Sequence, residues 1–172
     1  MWPRPREPGG FAAFGREIGV ALTVRGERAL QAALTVIVVV GLALDAYVHF
    51  NLASAFAQVK TSTLSQADLF RAQATVALIA AVALLVRPRR YTAAFAFLVA
   101  ASALVAVVLY RYVDVGKIGP IPNMYDPFWA PTKKTISAFA EGAAALAAAG
   151  LFVMFHIRAR NTERSQSVQV SG

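Results

Sequence analysis

Residues 35–53 read TVIVVVGLALDAYVHFNLA, and this stretch decides the fold. Its first ten residues carry no charge, and a Val/Ile run of this kind would suggest a strand in a soluble protein. A lone strand in lipid leaves its backbone groups unpaired, whereas a helix pairs them internally, so the stretch reads as a membrane-spanning helix. Asp45 and His49 lie one turn apart inside it, on one face. An acid at bilayer depth costs roughly 2.5–3.5 kcal/mol on insertion scales, so such residues face the bundle interior and mark a site or a structural ion pair.

The rest of the chain agrees with a membrane reading. Its 172 residues are 58% hydrophobic, with a mean hydropathy of +0.55, too apolar for an ordinary soluble domain. Four spans are expected, at about 30–52, 69–86, 92–110 and 135–156, each long enough to cross the hydrocarbon core. Residues 87–90, RPRR, form a tight turn in which Pro88 ends a helix. Spans 2 and 3 are therefore an antiparallel hairpin. The expected fold is all-α, an antiparallel up-down four-helix transmembrane bundle. A signal-peptide reading with Ala55-Phe56-Ala57 as the cleavage site fits poorly, because the leader is long and Asp45 and His49 sit badly before such a site.

Outside the membrane domain, 30–156, residues 1–29 form a tail with a proline-rich start. In it Phe11, Phe14, Ile18 and Leu22 recur at helical spacing, as an interfacial helix would have them. Residues 157–172 are polar and expected to be disordered. The loop 111–134, RYVDVGKIGPIPNMYDPFWAPTKK, holds four prolines yet is rich in apolar side chains. It reads as an ordered interfacial loop, with Tyr125 and Trp129 at headgroup level.

The net charge of +8 belongs to span ends, where cations set topology and meet anionic lipid. It is not read as nucleic-acid binding. Eleven Lys and Arg lie in the termini and the 87–90 turn, against six on the opposite side. The positive-inside rule then places both termini in the cytoplasm, in the plasma membrane of a bacterium. Zero cysteines exclude disulfides, thiolate metal sites and iron–sulfur clusters. No phosphate-binding loop, nucleophile elbow or HExxH pattern is present, which leans away from an enzyme. The two histidines, His49 and His156, belong to opposite ends of the bundle and cannot share one haem iron.

Depth places further residues beside Asp45. At about 1.5 Å per residue, Asp45 lies roughly 22 Å from Leu30, or about 8 Å below the far boundary of a core about 30 Å thick. Glu141 lies roughly 9 Å below the same boundary, and Gln73 falls at that level. The pocket candidates are therefore Asp45, His49, Gln73 and Glu141, with Arg71 and Arg111 at the rim and Tyr125, Phe128 and Trp129 as a loop lid. Asp45, His49 and Glu141 offer one nitrogen and two carboxylates, a mix suited to Zn, Mn or Fe. Two close carboxylates with a histidine would also suit proton or solute handling. Arg71, Arg111, Tyr47 and Tyr110 would suit a headgroup or quinone-like ring.

The leading expectation is an accessory subunit or a small-solute or ion-handling module with an outward-facing polar pocket. One alternative is a membrane oxidoreductase subunit using a metal or quinone there. Another is an assembly partner in which Arg71 or Arg111 pairs with Asp45 or Glu141 as a buried network fixing register. In that case a second copy or a membrane protein partner would meet span 4, where Ala138, Gly142 and the alanine run let a helix approach closely. The four short spans, the LLVRPRR turn (84–90) and the Ala/Gly-rich span with one acid, AFAEGAAALAAAG (138–150), are similar to small membrane proteins of the DoxX-like sort. That resemblance is one of layout and implies a four-span bundle without assigning any functional residue. DAYVHFNLA (45–53) and GPIPNMYDPFWAPTKK (119–134) resemble stretches of small bacterial membrane proteins and imply no particular activity.

Overall fold

The computed structural model describes residues 9–129 and 132–170, with side chains described over 24–129 and 132–167. Four helices follow in order: α1 (Gly9–Ala53), α2 (Gln66–Val86), α3 (Arg90–Tyr112) and α4 (Thr132–Val170), with a single 3-10 turn at Ser54–Phe56 after α1. Each contains a stretch long and apolar enough to cross a membrane: Val24–Phe56, Gln66–Val86, Arg90–Tyr112 and Thr132–Ser167. The protein is an all-α, multi-pass membrane protein. The chain divides into two units, Met1–Ala33 and Leu34–Gly172. The first is helical from Gly9, and its residues 24–30 are exposed. The stripe Phe11, Phe14, Ile18 and Leu22 lies outside the residues whose side chains are described. The second unit holds the bundle.

The bundle is packed with small residues and coated with large ones. On α2 the buried positions are Ala67, Ala74, Ala77, Ala80, Ala81 and Leu84, and on α3 Ala93, Ala96, Val99, Ala100 and Ala103. These recur every three or four residues, the spacing of one helical face. Large side chains such as Val40, Ile79, Leu98, Val105, Phe139 and Leu146 stay exposed. In water that would be inverted packing. In lipid it is the expected solution, because tails solvate large apolar groups as well as a core would, and small residues let backbones come close. Gly41 shows how close. A Cβ added there would stand 2.8 Å from the Ala140 carbonyl oxygen and 2.9 Å from Ala144 Cβ. The tight crossing thus joins α1 to α4 through Gly41, Ala140 and Ala144. Ala138 and Gly142, on the side of α4 expected to be smooth, line a shallow outer groove with Leu104 and Trp129.

The helices run longer than the sequence expectation: α1 begins at Gly9 rather than 30, and α3 spans Arg90–Tyr112 rather than 92–110. α2 begins at Gln66 rather than 69, because Ser65 and Asp68 form a reciprocal cap: Asp68 N–H donates to Ser65 Oγ at 3.1 Å and Ser65 N–H to Asp68 Oδ2 at 3.0 Å. α4 begins at Thr132, three residues earlier than 135. It also runs on to Val170, so residues 157–170 of the tail expected to be disordered are helical. No Pro or Gly interrupts residues 157–170, and Thr162, Ser165 and Ser167 hydroxyls donate back to carbonyls three or four residues earlier.

Hydrogen bonds tie the loop after α3 together over its described residues, 113–129. Ile118 and Ile121 exchange backbone hydrogen bonds at 3.1 and 3.0 Å around Gly119, whose φ of 56° lies in the left-handed region. Asp114 Oδ1 accepts from Gly116 N–H and from the Asn123 amide. Thr61 Oγ1 donates to the Pro120 carbonyl at 2.8 Å, tying this loop to the one between α1 and α2. Asp126 N–H donates to the Tyr110 carbonyl at 3.0 Å, and Lys134 Nζ grips Asp126 Oδ2 at 2.9 Å. The prolines remove backbone donors, and these side-chain bonds supply the missing ties.

Candidate functional site

Asp45 is completely buried and Glu141 is 1% exposed. They meet inside the bundle at the end that carries the two long loops. The last turns of α1 bring Asp45 and His49 there, the first turns of α2 bring Gln73, and the first turns of α4 bring Ser137 and Glu141. His49 Nδ1 stands 2.7 Å from Asp45 Oδ1 and 3.0 Å from the Asp45 backbone oxygen. Both neighbours are acceptors, so Nδ1 carries a proton and donates. In the neutral ring the lone pair is then on Nε2. The ring sits edge-on to Phe70, centroids 5.1 Å apart.

Gln73 Nε2 donates to Asp45 Oδ2 at 3.0 Å. Each Asp45 oxygen thus has a donor, from α1 and from α2. Ser137 Oγ lies 2.6 Å from Glu141 Oε1 and 3.4 Å from Asp45 Oδ1. One hydroxyl proton serves one acceptor at a time, and the shorter distance assigns it to Glu141. Glu141 Oε2 is buried and receives no N–H from the surrounding groups, while the Glu141 and Asp45 carboxyls themselves lie in hydrogen-bonding contact. Among the described residues, no Lys or Arg lies within 4 Å of either carboxylate.

No family model, curated protein or solved structure matches this chain. The geometry alone therefore carries the reading of the site.

A cavity of about 270 Å³ opens above the carboxylate layer. His49, Gln73, Ser137 and Glu141 give it a polar floor, and its walls are mainly apolar, with Phe56, Phe70 and Tyr110 the large rings. Ile121, Met124 and the Asp126–Lys134 pair close it from the loop side.

Several candidates are placed elsewhere than the sequence suggests. Arg71 is exposed on α2 and pairs with Asp68, one turn toward the start of its own helix, at 3.3 Å. Arg111 stacks against Tyr112 at 5.0 Å and Trp129 at 5.8 Å. Neither cation reaches Asp45 or Glu141, so the expected Arg–carboxylate pairs are not made. The aromatic neighbours hold Arg111 through their π faces, and Asp68 is simply nearer to Arg71 than the buried layer. Tyr125 and Phe128 are exposed, and Trp129 faces the outer groove. The prolines turn these rings outward, and the aliphatic residues between them form the roof. Tyr47 is 60% exposed, whereas Tyr110 lines the cavity. Sequence reasoning passed over Ser137, although its position one turn before Glu141 was a usable signal. Asp126 and Lys134 had no such signal, because the loop that joins them is irregular.

Proposed function

We propose that this is a non-enzymatic module of a bacterial plasma membrane, with both termini cytoplasmic, that takes a small solute or ion into the cavity above Asp45, His49, Gln73 and Glu141. One observation carries the reading. Glu141 is a buried acid at the floor of a cavity, in contact with a second buried acid, Asp45, and among the described residues no N–H reaches its Oε2 and no Lys or Arg lies within 4 Å of the pair. A network kept only for packing would satisfy its members, since a partly satisfied buried network is worse than an apolar one. An acid held at such cost is retained for what it binds.

The test is thermal unfolding of chelator-stripped protein in mild detergent, wild type against Glu141→Gln. Gln keeps the shape and can still accept from Ser137, while the charge is gone. A midpoint equal to or above that of wild type is the expected result. A fall of several degrees would show that the ionised side chain holds the bundle together, and the protein would then be read as an assembly partner.

A further inference from the structure

We propose that Asp45, His49 and Glu141 hold one divalent transition-metal ion, with its open coordination positions facing the cavity. The inference rests on reading this layer as a binding site, and it names the ligand. Four observations support it. The three side chains each present a ligand atom, all within 4.8 Å of one another, so small side-chain adjustments bring them onto one ion at about 2.0–2.2 Å. Glu141 Oε2 is buried and receives no N–H from the surrounding groups. Its carboxyl lies against that of Asp45, and a dication between two such groups takes the place of a proton they would share. The layer also holds two carboxyl groups and, among the described residues, no Lys or Arg within 4 Å, so a dication meets no competing cation there.

The fourth observation is the set of supports around the ligands. His49 Nδ1 faces Asp45 Oδ1 at 2.7 Å, and a dication that takes the place of the Nδ1 proton meets both atoms, because ligands are deprotonated when metal binds. Gln73 orients Asp45 at 3.0 Å and Ser137 orients Glu141 at 2.6 Å. Outer partners of this kind set the direction of ligand lone pairs. One imidazole with two carboxylates favours Zn²⁺, Mn²⁺ or Fe²⁺ over Mg²⁺ and Ca²⁺, which prefer oxygen ligands. Three protein ligands beside an open cavity leave room for water or a bound small molecule, unlike a closed four-ligand structural site.

The experiment is equilibrium dialysis of chelator-stripped protein in mild detergent against Zn²⁺ and Mn²⁺, with Mg²⁺ as competitor. Thermal midpoints are read on the same samples. Wild type is expected to bind one Zn²⁺ or Mn²⁺ per chain, to gain thermal stability on binding and to keep the ion in excess Mg²⁺. Glu141→Gln and His49→Gln each remove a ligand and are expected to abolish that binding. Ser137→Ala removes only a positioning group and is expected to weaken it about 10–100-fold. Absence of binding in wild type would overturn the proposal, as would binding that survives unchanged in both ligand variants. If Glu141→Gln does not fold, His49→Gln carries the same comparison. The two readings fail separately. A stripped Glu141→Gln protein as stable as wild type, with no metal bound by wild type, keeps the solute site and removes the metal. A destabilised stripped variant removes the site itself.

Discussion

At the scale of single residues, Asp45 and Glu141 differ in a way their similar depth does not suggest. Asp45 accepts from His49 and Gln73, whereas Glu141 accepts from Ser137 alone. Substitutions at the two positions should therefore diverge. Asp45→Leu leaves the Gln73 amide without its acceptor, while His49 Nδ1 retains the Asp45 backbone oxygen at 3.0 Å. One stranded donor in a buried layer costs about 1–3 kcal/mol. Asp45→Leu is expected to lose that much in unfolding experiments in detergent, whereas Glu141→Gln loses nothing. Which acid would be the structural one was not legible in the sequence. Both follow apolar runs at matched depth, and only the donors on neighbouring helices tell them apart.

At the scale of elements, the helices are held by caps and by close crossings more than by bulky cores. Ser65 caps α2 through Asp68, and Ser65→Ala should cost about 1 kcal/mol, read as a lower thermal midpoint. The α1–α4 crossing is more demanding. Gly41→Val places its first added carbon within 3 Å of the Ala140 carbonyl oxygen and Ala144 Cβ, so backbone must move. Overpacking of this kind costs about 1–3 kcal/mol, and because α1 carries Asp45 and His49 it also displaces them from Glu141. Gly41→Val is expected to lower the thermal midpoint, while Gly142→Ala, whose Cβ would meet only Leu104 at 3.8 Å, leaves it unchanged. The sequence marked Gly142 as a place for a partner helix and did not mark Gly41. Both lie in apolar helices, and no local feature says which one faces a neighbour.

At the scale of the whole molecule, the proposed orientation puts the 54–65 loop outside the cell and both termini inside. The chain has no cysteine, so single introduced thiols report sidedness cleanly. Ser62→Cys should react with an impermeant thiol reagent in intact cells, and Ser165→Cys only after the membrane is opened. The reverse pattern would invert the topology and turn the cavity toward the cytoplasm.

The number of helices, their membrane character and the level of the polar layer were all properties of the sequence. Each depends on one segment at a time: backbone groups in lipid must pair within their own helix, and a rise of about 1.5 Å per residue converts position into depth. The partners within that layer were decided by tertiary structure. In a bundle whose lipid face is as apolar as its interior, hydropathy does not mark the inward side of a helix. Rotation is set by which small residues let two backbones approach, as Gly41 does against Ala140 and Ala144. That rotation brings Ser137 between the two carboxylates, leaves Arg71 and Arg111 outside the layer, and gives the roof to Ile121 and Met124 rather than to the aromatic rings beside them.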